Sequence, residues 1–187
     1  MRAILHRLAA LAALPAVGGC TPGDAGGSGR ALPAGWERTE VLGLTLAAPG
    51  RFGLRTIELP KDVEATLEEM QSYSVRTDSL EVAVTRGTYL EGLPVELMGS
   101  ARGAVEALRS HPGVSDMTYS HAQTEVSGVP AVRTAWQNRF GGHHLQGEIL
   151  TILLGRVLWQ VEVTGGAGET TSEAASTVLE SVRIAPR

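Results

Sequence analysis

The stretch from Ala131 to Thr164 constrains the fold more than any other part of the chain, because two short turns fix how three strands pair. The runs Ala131 to Phe140, His143 to Leu154 and Val157 to Thr164 are separated only by Gly141-Gly142 and Gly155-Arg156, which read as two-residue hairpin turns. Such turns leave no freedom of register. Trp136 then lies opposite Gly147, and Arg133, Gln137 and Arg139 share a face with His144, Gln146 and Glu148, so one end of that face is polar. Beyond the second turn, Leu150 and Ile152 share a face with Trp159, Val161 and Val163, while Ile149 and Leu153 share the other with Leu158 and Trp136. Apolar side chains on both faces require cover on both. The expected architecture is α+β: a largely antiparallel sheet with helices on both faces, an α/β/α sandwich.

The elements around this meander follow from shorter signals. Leu42, Leu44 and Leu46 alternate with Gly43 and Thr45, which reads as one strand ended by Pro49-Gly50. After Pro60, Val63, Leu67 and Met70 recur at helical spacing with Glu64, Glu68 and Glu69 outside, predicting a short amphipathic helix. Leu80 to Leu90 alternates again as a strand. Pro94 suits the first turn of a long helix with Leu97, Ala101, Ala104, Val105 and Leu108 on one face, stopped by His111-Pro112-Gly113. Met117 to Val126 is a strand that turns at Ser127-Gly128-Val129-Pro130 into the meander. Thr170 and Glu173 fit a capping box for a last helix striped by Ala174, Ala175, Val178, Leu179 and Val182, and Val182 to Ile184 forms a short closing strand.

The N-terminus carries a different kind of signal. Met1 to Arg7 holds two arginines and no acid, and Leu8 to Val17 is apolar but too short to span a bilayer, which takes about 20 residues. Val17-Gly18-Gly19-Cys20 follows at once, with an aliphatic residue, two small ones and then the one cysteine of the chain. This resembles the lipobox of bacterial lipoproteins. The resemblance implies removal of residues 1–19 as a signal peptide, diacylation of the Cys20 sulfur and often acylation of the new amine. Cleavage by the ordinary signal peptidase would leave Cys20 a stray thiol, but a lone cysteine in an exported chain favours the lipid. Two or three acyl chains hold a protein stably where one does not. With its thiol consumed the mature chain has no disulfide, so its stability rests on its core.

Residues 20–33 then form the lipidated cysteine and a Gly-rich tether with a reach of roughly 20 Å. Residues 34–187 form a single α+β domain, since 187 residues in all suit one core. Losing Arg2 and Arg7 from 16 basic against 20 acidic side chains leaves 14 basic and a net charge of −6. Nucleic acid is therefore not an expected partner. Thr21 follows Cys20, and in enteric lipoproteins an Asp there marks retention in the inner membrane. The resemblance thus implies the periplasmic face of the outer membrane in a host that has one.

The element order, with Val126-Ser-Gly-Val-Pro-Ala-Val132 mid-way and Val178-Leu-Glu-Ser-Val-Arg-Ile184 closing, resembles the PsbP/Mog1-like fold over 34–187. Members as far apart as photosystem subunits, a nuclear-transport factor and bacterial envelope lipoproteins use that fold mainly for binding or assembly. The resemblance therefore implies a module that binds a protein partner, and it transfers no functional residues.

Thr164-Gly165-Gly166-Ala167-Gly168 follows a strand and precedes a helix, as a dinucleotide-binding turn does, but Thr171 stands in place of the third glycine and no second strand with a ribose-binding acid can follow. Gly99-Ser100-Ala101-Arg102-Gly103 has the wrong spacing for a hydrolase nucleophile. His144 and Glu148, with His143 near the turn, share a strand face, but side chains four residues apart stand about 13 Å from each other. His111 and His121 have no evident place beside them, so no metal site and no cofactor site is expected. Ser110-His111 and Ser120-His121 are only sequence neighbours, and no catalytic residue emerges. Cys20 and its lipobox are the only assigned site, with Arg133, Arg139, His144 and Glu148 left as a polar patch. The expected function is a lipid-anchored, non-enzymatic envelope protein with an envelope protein partner. The alternative is a binder of a small or lipidic ligand between sheet and helices, walled by Trp36, Trp136, Trp159, Tyr73, Tyr89 or Tyr119.

Overall fold

The computed structural model describes residues 31–185. The leader, Cys20 and the rest of the lipobox lie outside the described residues. The chain runs β1 (Glu37–Val41), β2 (Leu44–Ala48), β3 (Gly53–Leu54), α1 (Lys61–Glu64), β4 (Leu67–Arg76), β5 (Leu80–Tyr89), α2 (Leu97–Arg109), β6 (Val114–Val126), β7 (Val129–Phe140), β8 (His143–Leu154), β9 (Val157–Gly166), α3 (Glu169–Ser181) and β10 (Arg183–Ile184). A seven-stranded sheet has the order β3-β4-β5-β9-β8-β7-β6, and a three-stranded one has the order β1-β2-β10. Every pairing is antiparallel.

The meander has the registers expected from its turns. Trp136 pairs with Gly147, and Leu154 pairs with Val157 across Gly155-Arg156. Leu150, Ile152, Trp159, Val161 and Val163 therefore join Val82 and Val84 of β5 on one face, where the small sheet and α3 cover them with Leu44, Leu46, Val178 and Val182. This is the main core. Helix α2 packs on β6, β7 and β8, burying Ala101 and Val105 against the opposite face, which carries Val132, Thr134, Trp136 and Ile149. The α+β sandwich with helices on both faces is the observed architecture.

Four local expectations fail, each for a physical reason. Leu42 to Leu46 is not one strand, because Leu42-Gly43 is a tight turn with φ of 54° and 80° joining β1 to β2. Leucine is costly in that left-handed region, but tertiary bonds hold the turn: the Trp159 indole N–H donates to Leu42 O at 2.9 Å and Ala185 N–H to Gly43 O at 2.9 Å. The helix expected through Leu67 and Met70 stops at Glu64, and Leu67–Arg76 is strand β4. The ten residues of β5 offer a full ladder, and that ladder outweighs the local helical spacing. Helix α2 begins at Leu97, leaving Pro94 in the preceding loop. Thr170 lies inside α3, which starts after Gly168 with no side-chain cap, so there is no capping box.

One charged group sits awkwardly inside this framework. Glu162 of β9 shares the α2-side face with Ile149 and Ala83, and its side chain is only 23% exposed. Burial pushes its carboxyl above the ordinary 4.5, opposed by the Arg55 guanidinium at 3.9 Å and the Thr164 hydroxyl at 3.2 Å, and reinforced by Glu81. Below the ordinary value the group is protonated in both states and contributes no pH dependence. As pH rises from there through the raised value, the unfolded chain loses its proton first, so stability falls across that window. Glu162→Gln is expected to flatten this decline, melting higher than the parent at pH 7 and alike at pH 4. Thermal unfolding at the two pH values checks it, and a parent curve that rises from pH 4 to 7 more than the variant's contradicts it.

Candidate functional site

Helix α3 packs mainly on β9, β2 and β8, so the stretch of β6 and β7 around Thr118, Ser120 and Ala135 stays open on its side of the sheet. Those strands meet the gap with short side chains: Thr118 and Ser120 on β6 and Ala135 on β7. A groove of about 370 Å³ results, walled on the helix side by Thr171, Ser172 and Ala175 and floored by Gln137, Gln146 and Glu148. This is the polar end of the sheet that the hairpin registers pointed to.

Two of the three floor side chains are engaged, Gln146 and Glu148, and Gln137 is exposed. Gln146 lies 9% exposed and donates through Nε2 to Gly168 O at 2.7 Å and to Ser172 Oγ at 2.9 Å, tying β8 to the start of α3. Arg133 bonds Glu148 through Nε and reaches Ser176 Oγ at 3.3 Å through Nη2. That bond to Glu148 holds the Arg133 guanidinium above even its ordinary strongly basic value; burial works the other way, and the Glu148 and Glu180 charges add to the rise. Farther out, Arg139 donates to His144 Nε2 from Nε at 3.1 Å and lies 2.9 Å from it through Nη2. The residues suspected as a patch are thus brought together as two separate pairs. Gln146→Leu is expected to cost about 1–2 kcal/mol, because it removes the donor to Ser172 Oγ and the shortest of the bonds to Gly168 O, which keeps only those from Ser172 at 3.3 Å. Urea unfolding together with amide exchange over 168–172 reads this, and unchanged exchange there would contradict the tie.

The histidines do not converge. The His144 lone pair already accepts from a guanidinium, His121 Nδ1 lies 2.8 Å from Thr134 Oγ1, and His111 packs edge-on against Phe140. Among the described residues no group of three His, Cys, Asp or Glu is placed to hold a metal ion. Ser120 and His121 point to opposite faces of β6. In the glycine loop before α3, the Thr171 hydroxyl donates to Gly166 O at 2.7 Å, so the chain itself occupies the turn. Trp136 and Trp159 are 3% and 4% exposed and are mainly packed within the layers, yet Trp136 and the exposed Tyr119 also line the groove beside α3, and Trp159 lines a hollow with Leu42 and Ile184.

A second groove, about 460 Å³, opens on the opposite face between the first turn of α2 (Leu97, Met98) and Gln123, Glu125, Pro130 and Val132. The walls from β6, α2 and α3 went unforeseen. The alternation Thr118, Ser120, Ala122, Thr124 was the available signal, a strand face too small and polar to be covered.

No family profile matches the chain, and no characterised protein matches it in sequence. Its structure does have likenesses. Cyanobacterial PsbP from Synechocystis superposes with a TM-score of 0.56 at 10% identity, over 86% of this chain and 98% of that one. The fold is PsbP-like. LpqN, involved in cell envelope biogenesis of Mycobacterium tuberculosis, aligns with a TM-score of 0.45 at 15% identity, over 82% of this chain and 80% of that one. In this PsbP-like domain both grooves border β6, and no helix among the described residues is long and apolar enough to cross a membrane.

Proposed function

We propose that this protein is a lipid-anchored component of the bacterial cell envelope whose PsbP-like domain holds a protein partner without transforming it. The observation that carries the reading is the groove beside α3. Glu148 is held by Arg133 and Gln146 by the start of α3, while the open wall offers hydroxyls, small residues, the Gln137 amide and the Tyr119 ring, a surface suited to recognition rather than bond-making. The leader and lipobox supply the location, on the periplasmic face of the outer membrane where the host has one. A lipid anchor raises the concentration of membrane-bound partners around the domain it holds.

The test is a pull-down from the host's envelope extract with the full-length protein and with Ser120→Arg, which fills the groove from an exposed position. A partner retained by the parent and lost from the variant supports the reading. Native mass spectrometry of the same protein, purified from its host, decides against it if a small or lipidic molecule is found bound and no protein partner is.

A further inference from the structure

Strand β6 is the outer strand of the large sheet and is thirteen residues long. Natural edge strands are shielded by Lys, Pro, bulges or brevity. Here the bulge lies at one end, between Ser115 and Thr118, where Asp116 takes a φ of 52°. The run Met117 to Thr124 has no acid, Lys, Arg or Pro, and acids stand only beyond it, at Asp116 and Glu125. Val126 and Val129 flank the two-residue turn and form its closing pair, which is hydrogen-bonded in such hairpins. Alternation from there directs the N–H and C=O groups of Tyr119, His121, Gln123 and Glu125 away from β7, into the open. The two grooves described above border this same edge, on opposite faces of the sheet: one beside Thr118 and Ser120, the other beside Gln123 and Glu125.

We propose that β6 is a docking edge to which an extended segment of a partner protein adds as a further strand, with alternate side chains entering the two grooves. This rests on the partner-binding reading and gives it a mode. Main-chain bonds supply affinity in such additions and side-chain pockets supply selectivity. The groove under α2, lined by Leu97, Met98, Pro130 and Val132, takes an aliphatic side chain. The groove beside α3, whose polar lining includes Thr118, Ser120, Gln137, Gln146, Thr171 and Ser172, takes a hydrogen-bonding one. Because side chains alternate along a strand, the two must be an odd number of residues apart; the grooves are centred about five residues apart, roughly 17 Å. The acids at the two ends of the edge, neither of them in an ion pair among the described residues, select a segment with basic flanks. A second copy of this chain offers no such flanks, since its own edge ends in the same two acids.

The probe is a synthetic library of peptides of about ten residues, the length of a long strand, with arginine at each end and a leucine and a threonine at varied separation. It is applied to the full-length protein purified in detergent. Binding confined to odd separations is expected, with new amide-exchange protection at Tyr119, His121, Gln123 and Glu125. Gln123→Pro removes an outward N–H without touching the β7 ladder, and it should weaken binding at least about tenfold where Gln123→Ala does not. The exchange pattern in the parent protein decides the matter even if the proline variant fails to fold. Bound peptides that leave those four amides unprotected overturn the proposal, as does dimerisation abolished by Gln123→Pro. If the envelope partner binds the parent and Gln123→Pro alike while no peptide binds, edge addition fails and the partner-binding reading stands. If neither peptide nor envelope protein binds, both fail.

Discussion

Trp159→Ala is expected to destabilise the domain by about 3–5 kcal/mol, the usual cost of deleting a buried aromatic side chain. The indole is 4% exposed in the core between the large sheet and the β1–β2 layer, and its N–H satisfies the Leu42 carbonyl at the strained turn. Trp159→Phe keeps much of the apolar contact and loses that bond and the smaller ring's volume, so it should cost less, about 1–3 kcal/mol. Urea unfolding midpoints measure both. If the Phe variant is as damaged as the Ala variant, packing is not what the residue mainly supplies.

Gly147→Ala should be nearly as severe, at about 3 kcal/mol and a fall of roughly 10 °C in Tm. A Cβ at this position would stand 2.4 Å from the Val163 carbonyl oxygen and 2.6 Å from the Trp136 ring. The Trp136 indole occupies the space that any side chain on the opposing residue would need. Combining Gly147→Ala with Trp136→Leu removes the ring contact but not the carbonyl contact, so only part of the stability should return. Full recovery, or a silent Gly147→Ala, would mean the strands separate more easily here than the geometry states.

How much of this was legible in the sequence depended on how locally each feature is determined. The pairing of Trp136 with Gly147, and the assignment of Leu150 and Trp159 to one face, followed from turn length alone, because a two-residue turn converts sequence spacing directly into register. The polar end of the α3-side face followed with it. The Leu42-Gly43 turn did not, because its left-handed leucine is held by Trp159 and Ala185, residues far away in sequence. Strand β4 was hidden for the same reason: Val63, Leu67 and Met70 satisfy a helical period, and only the partner strand β5 decides against it. The grooves along β6 depend on where α2 and α3 stop short of the sheet edge, a tertiary outcome that no window of residues encodes.

The claim on which the functional account rests is that the mature protein begins at a lipid-bearing Cys20. Mass spectrometry of the N-terminal peptide, from protein purified out of its own host's membranes, tests it in one measurement. The account predicts a peptide starting at Cys20 whose mass exceeds the sequence mass by two or three acyl chains with their glycerol linkage. An unmodified Cys20, or a mature N-terminus at any other residue, would contradict it.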